Sequence, residues 1–383
     1  MDRRTMLRST VVGMGALALD PMFFTRLAGA APAAAACTPD GPYGPLQAED
    51  GNRIRLPAGF SSRVVARSLQ FVPGTLYLWP IFPDGAATFP LADGGWIYAV
   101  NAEIPLGLGG ASSVTFAPDG RIRGARRILG GTSGNCAGGP TPWGRWLSCE
   151  EVDRGYVYEC DVTRNAAVRR PAMGRFKHEA AAVDGPRRTV YLTEDESDGC
   201  LYRFRHANAG DLSAGTLEVA QVAGPDGGAV AWLPVPDPSA ASTRTRDQVA
   251  GATRFRGGEG AWYGADVLHF TTKGDNRVWR YDVVAETLAV AYDDDTSCNP
   301  VLSGVDNVTV SRSGDVFVAE DGDNMQIVIL GADGSVSPVV EVNGHDGSEI
   351  TGPAFSPDGS RLYFSSQRGG GVGITYEVRG PFR

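Results

Sequence analysis

The sequence predicts an all-β chain, a six-bladed β-propeller with inserted loops, and three observations carry that prediction. Glycine and proline contribute 51 and 25 of the 383 residues, more than ordinary usage of either, so turns are frequent and strands short. A phrase of two strands with alternating bulky residues around a Gly/Asp-rich turn recurs, which is the pattern of a β-hairpin. Its copies begin near residues 94, 145, 189, 267, 315 and 361, and a spacing in the forties is that of a four-stranded blade. Long amphipathic helical periodicity is absent. A pair of β-sandwiches, the competing architecture, leaves the aromatic-ended repeat unexplained.

The elements follow in chain order. Residues 2–8 read Asp-Arg-Arg-Thr-Met-Leu-Arg, and an apolar stretch at 11–19, too short to span a bilayer, leads into an alanine-rich run at 28–36. This resembles a bacterial Tat signal peptide over residues 1–36, a receptor-read address that predicts export to the periplasm or the extracellular space. Cys37 follows the alanines but lacks the upstream leucine of a lipid-attachment site. Residues 37–383 are expected to form a single propeller domain. Its hairpins include Thr-Val-Tyr-Leu-Thr-Glu-Asp-Glu-Ser-Asp-Gly at 189–199 and Asp-Val-Phe-Val-Ala-Glu-Asp-Gly at 315–322. The widest interval, between 189 and 267, holds an excursion that contains the Pro-rich loop 234–243. Ala-Pro-Asp-Gly at 117–120 and Ser-Pro-Asp-Gly at 356–359 are turns that lead into strands.

The charge balance excludes one class of partner. A formal net charge of −9 and a pI near 5.1 do not suit a nucleic-acid binder, whose affinity rests on basic residues. Only two lysines, Lys177 and Lys273, stand among the 35 basic side chains, which reads as genomic bias without functional content. No stretch of the mature chain is long and apolar enough to cross a membrane. A closed propeller has no long open sheet edge, so a monomer is expected. The six cysteines contain no C-x-x-C pair and the four histidines are scattered, which excludes a zinc ribbon, a redox dithiol and a His-rich metal site. In an exported chain Cys149, Cys160 and Cys200 are candidates for disulfides.

Chemistry is expected where the first strand of each hairpin ends, because a propeller gathers equivalent strand ends around one mouth of its channel. The acids there are Glu150-Glu151, Glu194-Asp195 and Glu320-Asp321; a parallel set, His178-Glu179, Glu259, Asp306-Asn307 and Glu349, precedes strands. Carboxylates brought together repel unless a hard cation such as Ca²⁺ neutralises them. No serine sits in a Gly-x-Ser-x-Gly elbow at a blade end, which makes a covalent serine route less attractive.

Several of these motifs belong together. Asn135-Cys136-Ala-Gly-Gly-Pro-Thr-Pro-Trp143-Gly-Arg145-Trp146-Leu-Ser-Cys-Glu150-Glu151 resembles the signature of PhoX-type alkaline phosphatases. Gly174-Arg-Phe-Lys177-His178-Glu179, Phe255-Arg256-Gly-Gly-Glu259-Gly, Val305-Asp306-Asn307, Val318-Ala-Glu320-Asp321 and Glu349-Ile-Thr-Gly-Pro follow in that family's order. The resemblance implies a six-bladed propeller that hydrolyses phosphate monoesters, exported through the Tat machinery, with iron (Fe³⁺) and calcium (Ca²⁺) in its channel. It places Cys136 as an iron ligand and Glu151, Glu179, Glu259 and Asp306 as metal-bridging carboxylates. Arg256 and Arg145 are the candidates for phosphate contacts, since a guanidinium forks onto phosphate oxygens. The family usually has Arg-Pro immediately before the glutamate of its third motif, where this chain has Gly257-Gly258. Trp143 and Trp146 read as blade packing; Lys177 and His178 read as support for Glu179 or as surface. Two other classes compete. A calcium-dependent lactonase or esterase would need no cysteine ligand, and a non-catalytic cell-envelope binding module would keep the motifs without turnover.

Overall fold

The computed structural model describes residues 41–322 and 324–383; the expected signal segment 1–36 and Cys37 lie outside the described residues. Six antiparallel blades follow one another. Blade 1 spans residues 83–132, blade 2 135–169, blade 3 178–234, blade 4 258–293, blade 5 305–342 and blade 6 350–379. Every hairpin phrase read from the sequence begins with the second strand of one blade.

The innermost strands close a ring. Pro83–Pro90, Asn135–Pro140, His178–Asp184, Gly258–Gly264, Val305–Val310 and Ile350–Phe355 each touch the next, and the last touches the first. Blade 6 takes its outermost strand, Ser61–Arg67, from the start of the domain, where it pairs with Ile374–Arg379. That pairing ties the two ends of the chain into one blade. Ile54–Arg55 adds to the outer edge of blade 5 in the same way. The excursion between blades 3 and 4 begins as an extra strand, Gly227–Pro234, which bridges to Thr287–Asp293 and joins the two blades in one nine-stranded sheet.

The core consists of wedges between neighbouring blades. Phe89, Ile97 and Trp146 fill the wedge between blades 1 and 2, Leu192 and Phe204 lie in that between 2 and 3, and Phe270 and Tyr281 in that between 3 and 4. Trp79 enters from the loop before blade 1 and fills the wedge between blades 6 and 1, its indole donating to Thr375 Oγ1 at 3.1 Å. These aromatic anchors account for the aromatic-ended repeat. Cys149, Cys160 and Cys200 are free thiols buried in these wedges, contrary to the expectation that they form disulfides. Each behaves as a small apolar side chain at a blade contact. Cys298 is disulfide-bonded. No described helix is long and apolar enough to cross a membrane.

Small residues on the inner strands set how closely the blades approach. A Cβ on Gly139 would fall 1.6 Å from Ala181 O of the next blade. Gly139→Ala must therefore push blades 2 and 3 apart at the channel wall, which is expected to cost about 2–4 kcal/mol, as other overpacked cores do. A melting curve shows this as a lowered Tm, and an unchanged Tm would contradict it.

Candidate metal centre

All six inner strands slip register at one place, a β-bulge near their first residues: between Pro83 and Ala86, Asn135 and Gly138, His178 and Ala181, Gly258 and Ala261, Val305 and Val308, and Thr351 and Ala354. A bulge adds a residue and re-aims its side chain. The equivalent bulged residues are Asp84, Cys136, Glu179, Glu259, Asp306 and Gly352. Five blades thus offer a ligand type at one height, and the sixth offers a glycine. The residue after each second strand forms a further tier: Glu103, Glu151, Asp195, Lys273, Asp321 and Gln367.

Three sets of side chains gather their ligand atoms within 4.8 Å of one another: Asp84, Glu103 and Cys136; Cys136, Glu151 and Glu179; and Glu179, Glu259 and Asp306. Cys136 and Glu179 are shared, so the sets join into one chain of ligands. The structure brings together Cys136, Glu151, Glu179, Glu259 and Asp306, all five residues that the sequence proposes as ligands. Asp84 and Glu103 extend the group and are absent from the sequence reading. Beyond the ring, toward the opposite face, the channel continues as a cavity of about 220 Å³ lined by Gly85, Ala137, Gly139, Gly260 and other small residues.

Cysteine 136 is held by its backbone. Asn101, fully buried, donates through Nδ2 to the carbonyls of Cys136 (2.9 Å) and Ala137 (2.6 Å). Its Oδ1 accepts from Trp146 Nε1 and Ser148 Oγ, both at 2.8 Å. All four hydrogen-bonding positions of the amide are used. Trp146 is accordingly a packing and bracing residue.

Cations are few and well placed. Lys177 Nζ lies 2.8 Å from both Glu151 and Asp195, and Lys273 Nζ lies 3.2 Å from Glu259 and 3.0 Å from Asp321. Arg368 holds Glu349 at 2.6 Å, and Gln367 Nε2 donates to Asp84 (2.5 Å) and Glu103 (2.7 Å). Both lysines of the chain therefore stand at this mouth, and composition alone does not account for them. Nine carboxylates (Asp84, Glu103, Glu151, Glu179, Asp195, Glu259, Asp306, Asp321 and Glu349) face these three basic side chains.

The electrostatics show what is required to balance the group. Both oxygens of Glu179, a fully buried residue, have no hydrogen-bond partner. An ionised carboxylate in that position is strongly disfavoured without a cation. Burial and then the charge of Glu151 push the Glu179 carboxyl well above the usual range; burial likewise raises Asp84, Glu259 and Asp306. The Cys136 thiol is pushed up by burial and by Asp84. A bound cation reverses each of these preferences and deprotonates a coordinating thiol. The residues fit hard cations at the carboxylates and a softer transition ion at the sulfur.

Other acids and bases divide by role. Glu150, Glu194 and Glu320, equivalent in their blades, accept backbone N–H groups: Glu150 from Ser133 and Tyr156, Glu194 from Cys200, Glu320 from Ser303 and Gln326. They brace the hairpin turns, which leaves the next residue to face the mouth. His178 Nε2 donates to Gly174 O (3.1 Å), the ring packs on Phe176, and burial holds it neutral by lowering its pKa to about 3. Arg256 is exposed, two residues before the inner strand that bears Glu259, and forms no ion pair with a described residue. Arg145 begins the strand whose far end is Glu150 and pairs with Asp161 at 2.5 Å. The structure does not bring it to the ligand group.

The profile of the family described as alkaline phosphatase PhoX matches residues 120–158, 152–300 and 278–370. No curated protein matches the chain. Among solved structures, Pseudomonas fluorescens PhoX in complex with vanadate, a transition state analogue, superposes with a TM-score of 0.70 at 18% identity, over 88% of this chain and 97% of that one. A protein of unknown function from Bacteroides thetaiotaomicron gives a TM-score of 0.51 at 10% identity, over 84% and 76% of the two chains.

Proposed function

From the premise that the chain belongs to the alkaline phosphatase PhoX family, and is therefore a metal-dependent phosphatase, we propose that it hydrolyses phosphate monoesters at a cluster of iron and calcium. Cys136, Glu151, Glu179, Glu259 and Asp306 would hold the cluster, with Asp84 and Glu103 at its edge. The observation that carries the assignment is Glu179, a fully buried carboxylate shared by two ligand sets with no hydrogen bond to either oxygen. Such ions, when bound, neutralise phosphoryl oxygens and supply an activated oxygen nucleophile near neutral pH.

The protein's own groups prepare that chemistry. Asn101 fixes the backbone that carries the thiol, and Lys177 and Lys273 orient the outer carboxylates. Arg256, exposed and without an ion pair among the described residues, would fork onto an incoming phosphate. Arg145, paired with Asp161 at the far end of its strand, is left out of the proposed phosphate contact. Export through the Tat route to the periplasm or the exterior, as a monomer, completes the reading.

Removal of metal tests it. Phosphate release from p-nitrophenyl phosphate is expected to fall at least about a hundredfold in EGTA and to return on adding Ca²⁺. Turnover that survives exhaustive chelation would overturn the assignment.

A further inference from the structure

Apolar side chains left in water are concentrated in the loops on either side of the first strands of blade 1. Of the eight large hydrophobic residues exposed among the described residues, six lie in two loops that flank blade 1: Leu69, Phe71, Leu76 and Leu78 before its first strand, and Leu106 and Leu108 after its second. Both loops leave the blade at the end that bears the ligands. Leu78 precedes Asp84 by six residues, at most about 22 Å of chain, and Leu106 follows Glu103 by three, at most about 11 Å. The two loops are joined at their base, where Glu103 N donates to Phe82 O at 2.9 Å.

Folding does not explain these leucines. Leu106 is 89% exposed and Leu76 92% exposed, so neither contributes much to the core. Leu69 and Leu106 also adopt left-handed backbone angles, with φ of 62° and 61°. A leucine there is strained by about 1–2 kcal/mol, and glycine or asparagine would fit better. Strain combined with exposure at a functional mouth points to a ligand. Beneath the loops, Trp79 is buried and hydrogen-bonded, so the rim stands on a fixed base.

We propose that this rim binds the hydrocarbon part of an amphiphilic phosphomonoester, one whose phosphate enters the metal centre while its alkyl or acyl chain lies across Leu106, Leu108, Leu76 and Leu78. The proposal rests on the phosphatase reading and narrows its substrate class. Small polar esters would use the metal centre alone.

Binding of butylphosphonate and octylphosphonate, which cannot be hydrolysed, separates the two ideas. Calorimetry on the metal-loaded protein is expected to show the octyl compound binding about tenfold tighter, from partial burial of four additional methylenes. That ratio is expected to drop below about twofold in Leu106→Ser/Leu108→Ser and in Leu76→Ser, with metal content as the check that the variants are folded. Equal affinity for the two phosphonates in the native protein would overturn the proposal. Sedimentation with phosphatidylcholine vesicles, lost in the leucine variants and accompanied by equal phosphonate affinities, would assign the rim to a bilayer and also overturn it. Hydrolysis of p-nitrophenyl phosphate by the same preparation tests the phosphatase reading independently.

Discussion

Cys136→Ala is expected to remove iron from the protein and to lower phosphate release by at least about a hundredfold while calcium is retained. Cys136 is the one sulfur in the ligand chain and belongs to two of its three sets. With it gone, the donors that remain are carboxylates, and iron loses the one thiolate that distinguishes its position from those of calcium. The fold should survive, because Asn101 holds the backbone carbonyls of Cys136 and Ala137 and not the thiol. Elemental analysis, activity and a melting curve on one preparation check all three statements. A variant that keeps its iron and its turnover would show that the thiol is an ordinary buried cysteine, as a calcium-dependent lactonase would have it.

Glu179→Gln should have opposite effects on activity and on the stability of the metal-free protein. Activity is expected to fall at least about a hundredfold, because two ligand sets lose their shared carboxylate. In EGTA at pH 8, the variant is expected to melt a few degrees higher than the native chain, since the buried charge is removed. The pH dependence follows the same logic. Burial pushes Glu151 and Glu349 up to about 7 and Glu179 well above its ordinary range. A carboxyl raised on folding binds more protons in the folded state across the interval between its two pKa values, so stability falls as pH rises through that interval. The metal-free protein should therefore lose stability from about pH 4.3 to about 7 and beyond, and added Ca²⁺ should cancel the loss. A metal-free native chain that is equally stable at pH 5 and pH 8 would contradict this.

The propeller was legible because its period is written in side chains that fill the wedges: the aromatic ends of each hairpin are the residues that one blade buries against the next. Five candidate ligand positions were legible for a related reason, since each lies at one of two recurring blade positions within a distinctive motif. Asp84 was not. Phe82-Pro83-Asp84-Gly85 reads like the turn phrases Ala-Pro-Asp-Gly and Ser-Pro-Asp-Gly, and only the register of blade 1 shows that it begins an inner strand. Glu103 follows a second strand as Glu151 and Asp195 do, a positional signal that was available in the sequence. Lys177 carried a signal beside Glu179 but Lys273 carried none, because composition cannot show that two rare residues meet at one mouth. Arg145 illustrates the converse limit. It shares a motif with Glu150, yet the strand between them carries it to the other end of the blade, where Asp161 takes it. Cys149, Cys160 and Cys200 stay free thiols although Cys149 and Cys200 share one wedge, which spacing along the chain does not reveal.

The most direct test of the central claim is the metal content of the native protein after purification from its own cells. The ligand chain predicts both iron and calcium bound in each molecule, with the iron absent from Cys136→Ala. Calcium alone in the native protein, or neither metal, would contradict an iron and calcium cluster held by Cys136 and Glu179.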